Sequence, residues 1–156
     1  MTQSIGTLAI QGFSALVIAL ISAWITVQLS QKKFRVERLW DRKVIAYERV
    51  IEAFYKSKRF SSEHLAAEMS NCEVPDERDK ELRALAKEAH EEIRRTAEIG
   101  SFTLSPAALG LISQYEKESA DPEWITMWQE HLEHDYTVTD KYLKLFIVEA
   151  KRDLEQ

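Results

Sequence analysis

The chain is predicted to be all-α: a long N-terminal helix that begins as a transmembrane span and continues as a stalk, packed with about three shorter helices as a bundle. Three observations predict this. Ile5 to Leu29 are 25 consecutive uncharged, mostly apolar residues, and at about 1.5 Å per residue they can cross a hydrocarbon core of about 30 Å. No Pro occurs before Pro75 and no Gly between Gly12 and Gly100, so nothing in the sequence stops a helix from passing out of the span into a stalk. No alternating apolar pattern or hairpin turn occurs in the 156 residues. The expected organisation is an anchor over residues 1–31, a basic juxtamembrane stalk over 32–69 and an acidic helical bundle over 76–156.

The anchor is followed at once by Lys32, Lys33, Arg35 and Arg38, whereas no charged side chain precedes it. The positive-inside tendency then keeps the cationic end in the cytoplasm and the N-terminal residues outside, with anionic lipid headgroups as partners of those four side chains. A cleaved signal peptide would carry its charges before the apolar run, the reverse of the order here. Gly12, Ala15, Ala19 and Ala23 form a small-residue row that allows a second membrane helix to approach closely. No ionisable group lies inside the run, which argues against a proton relay or transporter. One cysteine, Cys72, excludes an intrachain disulfide and suits a reducing compartment.

Charge divides the rest. From Gln31 to Arg59 there are ten Lys/Arg against four Asp/Glu, a net of +6, and from Phe60 to Gln156 eleven against twenty-two, a net of −11. The acidic remainder disfavours a nucleic acid polymer as partner. In the stalk, Trp40, Val44, Tyr47, Ile51 and Phe54 follow at coiled-coil spacing, and Ala46, Val50 and Ala53 widen the face. These five and the small-residue row are the predicted interface of a homo-oligomer, with the broad face also suited to packing within a bundle.

The stretch RLWDRKVIAYERVIEAFY, residues 38–55, follows a span and a short basic patch. With Trp40, Lys43, Tyr47 and the Ile51-Glu52-Ala53 continuation, it resembles the start of uncharacterised single-span bacterial membrane proteins that carry a short helical cytosolic domain. The resemblance covers roughly residues 8–60. It implies an inner-membrane protein of a prokaryote or its phage, and it implies no chemistry.

Ser70 to Pro75 is a polar break. Asp76 to Ile99 is the next predicted helix, with Leu82, Leu85, Ala86, Ala89 and Ile93 on one face, acids in its first turn and Gly100 as the expected C′ residue. Ser105-Pro106 reads as an N-cap followed by Pro at the first helical position, opening a helix to about Ser119. Asp121-Pro122-Glu123 repeats the signal and opens the last helix, whose expected buried side is Trp124, Trp128, Leu132, Tyr142, Leu145, Phe146 and Ala150. The β-branched run Thr137-Val138-Thr139 is a place where that helix could bend or break.

Two clusters could carry chemistry. Lys80, Arg83, Lys87, His90 and Arg94 step by three and four along the second helix, a basic stripe able to build an anion site around an oligomer axis. The alternative is a surface stripe paired with its own acids, such as Asp79 with Arg83. His131 and His134 lie three apart, but no H-E-x-x-H order is present, so no metal is expected there. With no P-loop, no G-x-S-x-G and no kinase-type set, the expectation is a non-enzyme without cofactor. The leading function is a single-pass inner-membrane protein that self-associates and presents a cytosolic helical domain to a protein partner. The alternative is a membrane effector gated by an anionic, nucleotide-type ligand. It bears an architectural likeness to the small effectors of bacterial anti-phage systems, including CRISPR-associated ones that sense cyclic oligoadenylate.

Overall fold

The computed structural model describes residues 2–120 and 125–155, with side chains described for 21–31, 33–100, 102–120 and 125–155. Among the described residues the chain is all-helical and without strands: α1 (Thr2–Met69), α2 (Asp76–Ile99), α3 (Pro106–Glu118) and α4 (Trp128–Leu154), with a 3-10 turn at Gly100–Phe102. It divides into two compact units, Met1–Trp40 and Asp41–Gln156.

The first unit lies within α1. Ile21, Trp24, Ile25, Val27, Leu29, Phe34, Val36, Leu39 and Trp40 are all exposed. Lys33 pairs with Glu37 at 3.7 Å, and the Arg38 guanidinium lies 4.5 Å from the centre of the Phe34 ring. Among the described residues no helix is long and apolar enough to cross a membrane. Most of the predicted span, residues 5–20 of the run Ile5–Leu29, lies outside the residues whose side chains are described.

The second unit is the bundle. Its core joins Ala46, Tyr47, Val50, Ala53 and Phe54 of α1 to Ala89 and Ile93 of α2, Ala108, Ile112 and Tyr115 of α3, and Tyr142, Phe146 and Ala150 of α4. Phe54 sits at the centre, fully buried. Its ring is 4.9 Å from Tyr115, edge-on, and 5.8 Å from Phe146, the offset geometries that aromatic quadrupoles prefer. The predicted seam is therefore turned. Tyr47 and Phe54 lie inside the chain's own core, which removes them from any surface that a second copy could touch. Val44 and Ile51 are half-buried and Trp40 is exposed. The buried face instead continues through polar Ser57, Ser61 and His64.

Those three have partners. Ser57 and Tyr115 place their hydroxyl oxygens 3.5 Å apart, and Ser61 donates to the Asp135 carboxylate. His64 meets the Phe60 carbonyl at 2.9 Å and the Asp79 carboxylate at 2.8 Å. A buried polar group costs stability unless it is hydrogen-bonded, so these contacts let α1 bury a face that hydropathy does not mark.

The turns follow local chemistry. Asn71 ends α1 with φ 52°, and Cys72 N–H donates to Ala67 O at 2.9 Å while Asn71 N–H donates to Glu68 O at 3.0 Å. This is the Schellman pattern, in which Asn tolerates the left-handed residue. Gly100 differs from expectation: its φ is −76°, so α2 ends by tightening into the 3-10 turn and not through a left-handed C′ residue. Ser105 caps α3, accepting from Ala108 N–H at 3.0 Å, with Pro106 following it. Its hydroxyl donates to Glu149 of α4 at 2.7 Å. The described start of α4 is Trp128, and the helix runs unbroken through Thr137–Thr139, with Val138 and Thr139 buried. Trp128 and Leu145, expected inside, are exposed, whereas Leu132, Tyr142, Phe146 and Ala150 are buried as the spacing predicts. Trp124 and the opening signal at 121–123 lie outside the described residues.

An ion pair ties the hairpin of α1 and α2 together. Arg78 donates to both Glu63 oxygens, Nε at 2.8 Å and Nη2 at 2.5 Å, and Arg59 donates to Glu63 at 2.7 Å. Arg78 first, with Arg59 assisting, holds the Glu63 carboxyl at about 2, against the upward push of partial burial. A lowered carboxylate pKa stabilises the fold above the unfolded value of about 4.5, and that contribution disappears as pH falls toward about 2. Glu63 keeps a third of its side-chain exposure, so solvent screening limits the loss to on the order of 1 kcal/mol. Glu63→Gln should flatten this limb in urea denaturation at stepped pH. An unchanged slope would remove the pair from the acid response.

Candidate functional site

Two helix faces with the same internal spacing meet in the bundle. Arg42, Ile45, Ala46 and Arg49 of α1 stand at steps of three, one and three, and so do Glu92, Arg95, Thr96 and Ile99 of α2. Such spacing puts all four residues of each set on one side of its helix. Together with Gly100, Phe102 and Thr103 they line a groove of about 420 Å³, within the size range of small-molecule sites. Its apolar wall is unusually open: Ile45, Ile99 and Phe102 are exposed, Phe102 to 92%.

The groove is cationic. Three guanidinium groups face a single carboxylate, Glu92, which lies 4.0 Å from Arg49 Nη1. Among the described residues no carboxylate pairs with Arg42 or Arg95. The C-terminal end of α2 adds only about half a negative charge, so a net positive charge remains after both are counted. Glu92 also accepts a long bond from Thr96 Oγ1 at 3.4 Å. Guanidinium forks beside exposed apolar and aromatic surface suit the binding of an amphiphilic anion.

The predicted basic stripe is not gathered into one site. Arg83 pairs with Asp79 at 2.8 and 3.0 Å, and its guanidinium lies 5.7 Å from the ring centres of Phe60 and Trp128. Arg83 foremost, then His64, lowers the Asp79 pKa. His90 meets the Ala86 carbonyl at 2.8 Å and the Tyr115 hydroxyl at 3.2 Å, and stacks on the Tyr115 ring at 6.0 Å. Lys87, His90 and Arg94 line a second cavity of about 520 Å³, but Glu91 and Glu116 line it too, so Lys87 and Arg94 are balanced there. Lys80 is exposed and belongs to neither cavity. Net charge therefore favours the groove of Arg42, Arg49 and Arg95.

Of the other predicted interface and headgroup residues, Gly12, Ala15, Ala19 and Lys32 lie outside the residues whose side chains are described, and Ala23 and Arg35 are exposed. His134 meets the Glu118 carbonyl at 2.9 Å, and His131 stacks on Trp128 with ring centres 5.5 Å apart. Among the described residues no group of three His, Cys, Asp or Glu is placed to hold a metal. Sequence reading missed Arg42 and Arg49. Their seven-residue interval, repeated between Glu92 and Ile99 of α2, was the available signal. No protein-family model, curated protein or solved structure matches the chain.

Proposed function

We propose that this chain is a single-pass inner-membrane protein that self-associates and presents its helical bundle to a partner in the cytoplasm. The observation that carries the proposal is the apolar run Ile5–Leu29, bounded on one side only by Lys32, Lys33, Arg35 and Arg38. The described end of that run supports it: Ile21, Trp24, Ile25, Val27 and Leu29 are each exposed. A helix segment that is apolar around its circumference belongs in lipid or against other helices. Self-association is supported by the small-residue row and by exposed Trp40 on the stalk, not by Tyr47 or Phe54.

A second reading is a membrane effector of a defence or stress system, switched by an anionic, nucleotide-type ligand at the bundle. The groove of Arg42, Arg49 and Arg95 favours it. Both readings need the anchor. Washing membranes that contain the full chain with alkaline carbonate should leave it in the pellet. Release into the supernatant would overturn both.

A further inference from the structure

We infer that the groove between α1 and α2 binds a nucleotide: a phosphate held by Arg42, Arg49 and Arg95, with the base laid against Phe102. The inference gives the ligand of the second reading a site and named contacts, and rests on that reading only for its consequence at the membrane. Binding itself needs the bundle alone.

Charge selects the anion. Arg42 and Arg95 have no carboxylate partner among the described residues, and Arg49 has Glu92 only at 4.0 Å. An incoming phosphate therefore displaces no strong ion pair at two of the three positions. Planar guanidinium groups match phosphate oxygens in pairs, a geometry that a lysine cluster does not offer.

The wall selects the rest of the ligand. Phe102 projects into solvent with 92% of its surface exposed, flanked by Ile99 at 64% and Ile45 at 47%. Stacking of a base on an aromatic ring adds to affinity and tolerates any base. Inorganic phosphate would use the arginines and leave this surface wet. The groove's volume of about 420 Å³ leaves room for a body beyond the phosphate. Thr96 and Thr103 line the groove too, their hydroxyls donating to Glu92 at 3.4 Å and to the Gly100 carbonyl at 3.3 Å. The second cavity, around Lys87 and Arg94, serves as an internal control because Glu91 and Glu116 neutralise it.

The test uses the full chain in nanodiscs of zwitterionic lipid, with fluorescent N-methylanthraniloyl-AMP as probe and anisotropy as readout. Saturable binding, chased by unlabelled AMP, is expected. Arg42→Ala and Arg95→Ala should each weaken it about tenfold. Phe102→Ala should weaken AMP about fivefold while leaving inorganic phosphate unaffected as a competitor. Lys87→Ala and Arg94→Ala should stay within about twofold of the unsubstituted chain. The substituted groove side chains are all exposed, and unchanged far-UV circular dichroism would confirm that the variants fold. Absence of saturable binding at millimolar probe would overturn the inference. So would full binding in the Arg42 and Arg95 variants, or loss in the Lys87 and Arg94 variants. Inorganic phosphate chasing as well as AMP would remove the base. Short-chain phosphatidylglycerol chasing at lower concentration than AMP would assign the groove to a lipid headgroup and also overturn it. Carbonate extraction reads the anchor independently, so failure of the membrane reading and failure of this one are separate results.

Discussion

Replacing Phe54 by alanine is expected to lower the stability of the bundle by about 3–5 kcal/mol. Phe54 is fully buried and joins three helices at once, touching Tyr115 of α3 and Phe146 of α4 from α1. Truncation removes the transfer free energy of the ring and leaves a cavity bounded by two other aromatic rings, which cannot collapse without losing their own contacts. Typical domains have only about 5–15 kcal/mol in total, so Phe54→Ala should shift urea denaturation of the full chain strongly, or leave the bundle unfolded at 37 °C. Tyr55, its exposed neighbour, supplies the comparison: Tyr55→Ala should change stability by no more than about 0.5 kcal/mol. A Phe54→Ala loss near that of Tyr55→Ala would mean that the core is not built around this ring.

Asp153→Ala should be the second large effect, about 3 kcal/mol. Near the C-terminal end of α4, the Asp153 carboxylate accepts from the Tyr47 hydroxyl at 2.6 Å and pairs with Lys43 at 2.9 Å. Lys43 also donates to the Asp153 carbonyl at 2.9 Å, and the Tyr47 hydroxyl accepts from the Ser105 N–H at 3.2 Å. One carboxylate thus fastens α4 to α1 beside the start of α3. Burial pushes the Asp153 pKa up, but the hydrogen bonds from Tyr47 and Lys43 outweigh it and the net shift is downward. Removing the carboxylate leaves a half-buried ammonium and a buried hydroxyl without that partner, which costs more than the net worth of either bond. Tyr47→Phe, which leaves the Lys43 pair in place, should cost only about 1–2 kcal/mol. A double-mutant cycle on the two should give a coupling of about 1 kcal/mol or more. Additive losses would show that the contact does not act as a unit.

The helices were legible because their signals are local. Asn71 in the break, acids at the start of α2 and the Ser105-Pro106 cap all depend on residues within one turn, and the structure places the ends of α1, α2 and α3 where they point. Leu82, Ala89 and Ile93 of α2 were readable from periodicity alone. The orientation of the stalk was not. Hydropathy picks the largest apolar residues and so includes Trp40 and Ile51, yet α1 buries Ser57, Ser61 and His64. Their buried state depends on Tyr115, Asp135 and Asp79, supplied by other helices. The same limit hid the arginine groove. Arg42 and Arg49 become a site only when Arg95 is brought beside them, and no single-helix pattern contains that pairing. The basic stripe shows the same limit: helical spacing placed five residues on one side, while neighbours from α1, α3 and α4 give Arg83 different surroundings from Lys87, His90 and Arg94.

Arg42 and Arg49 flank Tyr47 on α1, and Tyr47 belongs to the core of Phe54 and bonds to Asp153, so the groove is built on the same packing. Whether groove occupancy could be felt at a membrane depends on assembly, because a single span encloses no pore and any barrier effect needs several copies. The decisive measurement is the protein mass per particle of the full chain in nanodiscs, by light scattering that separates protein from lipid. A defined oligomer of two or more chains is expected, retained on dilution. A single chain per particle at every concentration would contradict self-association and leave only a monomeric anchor.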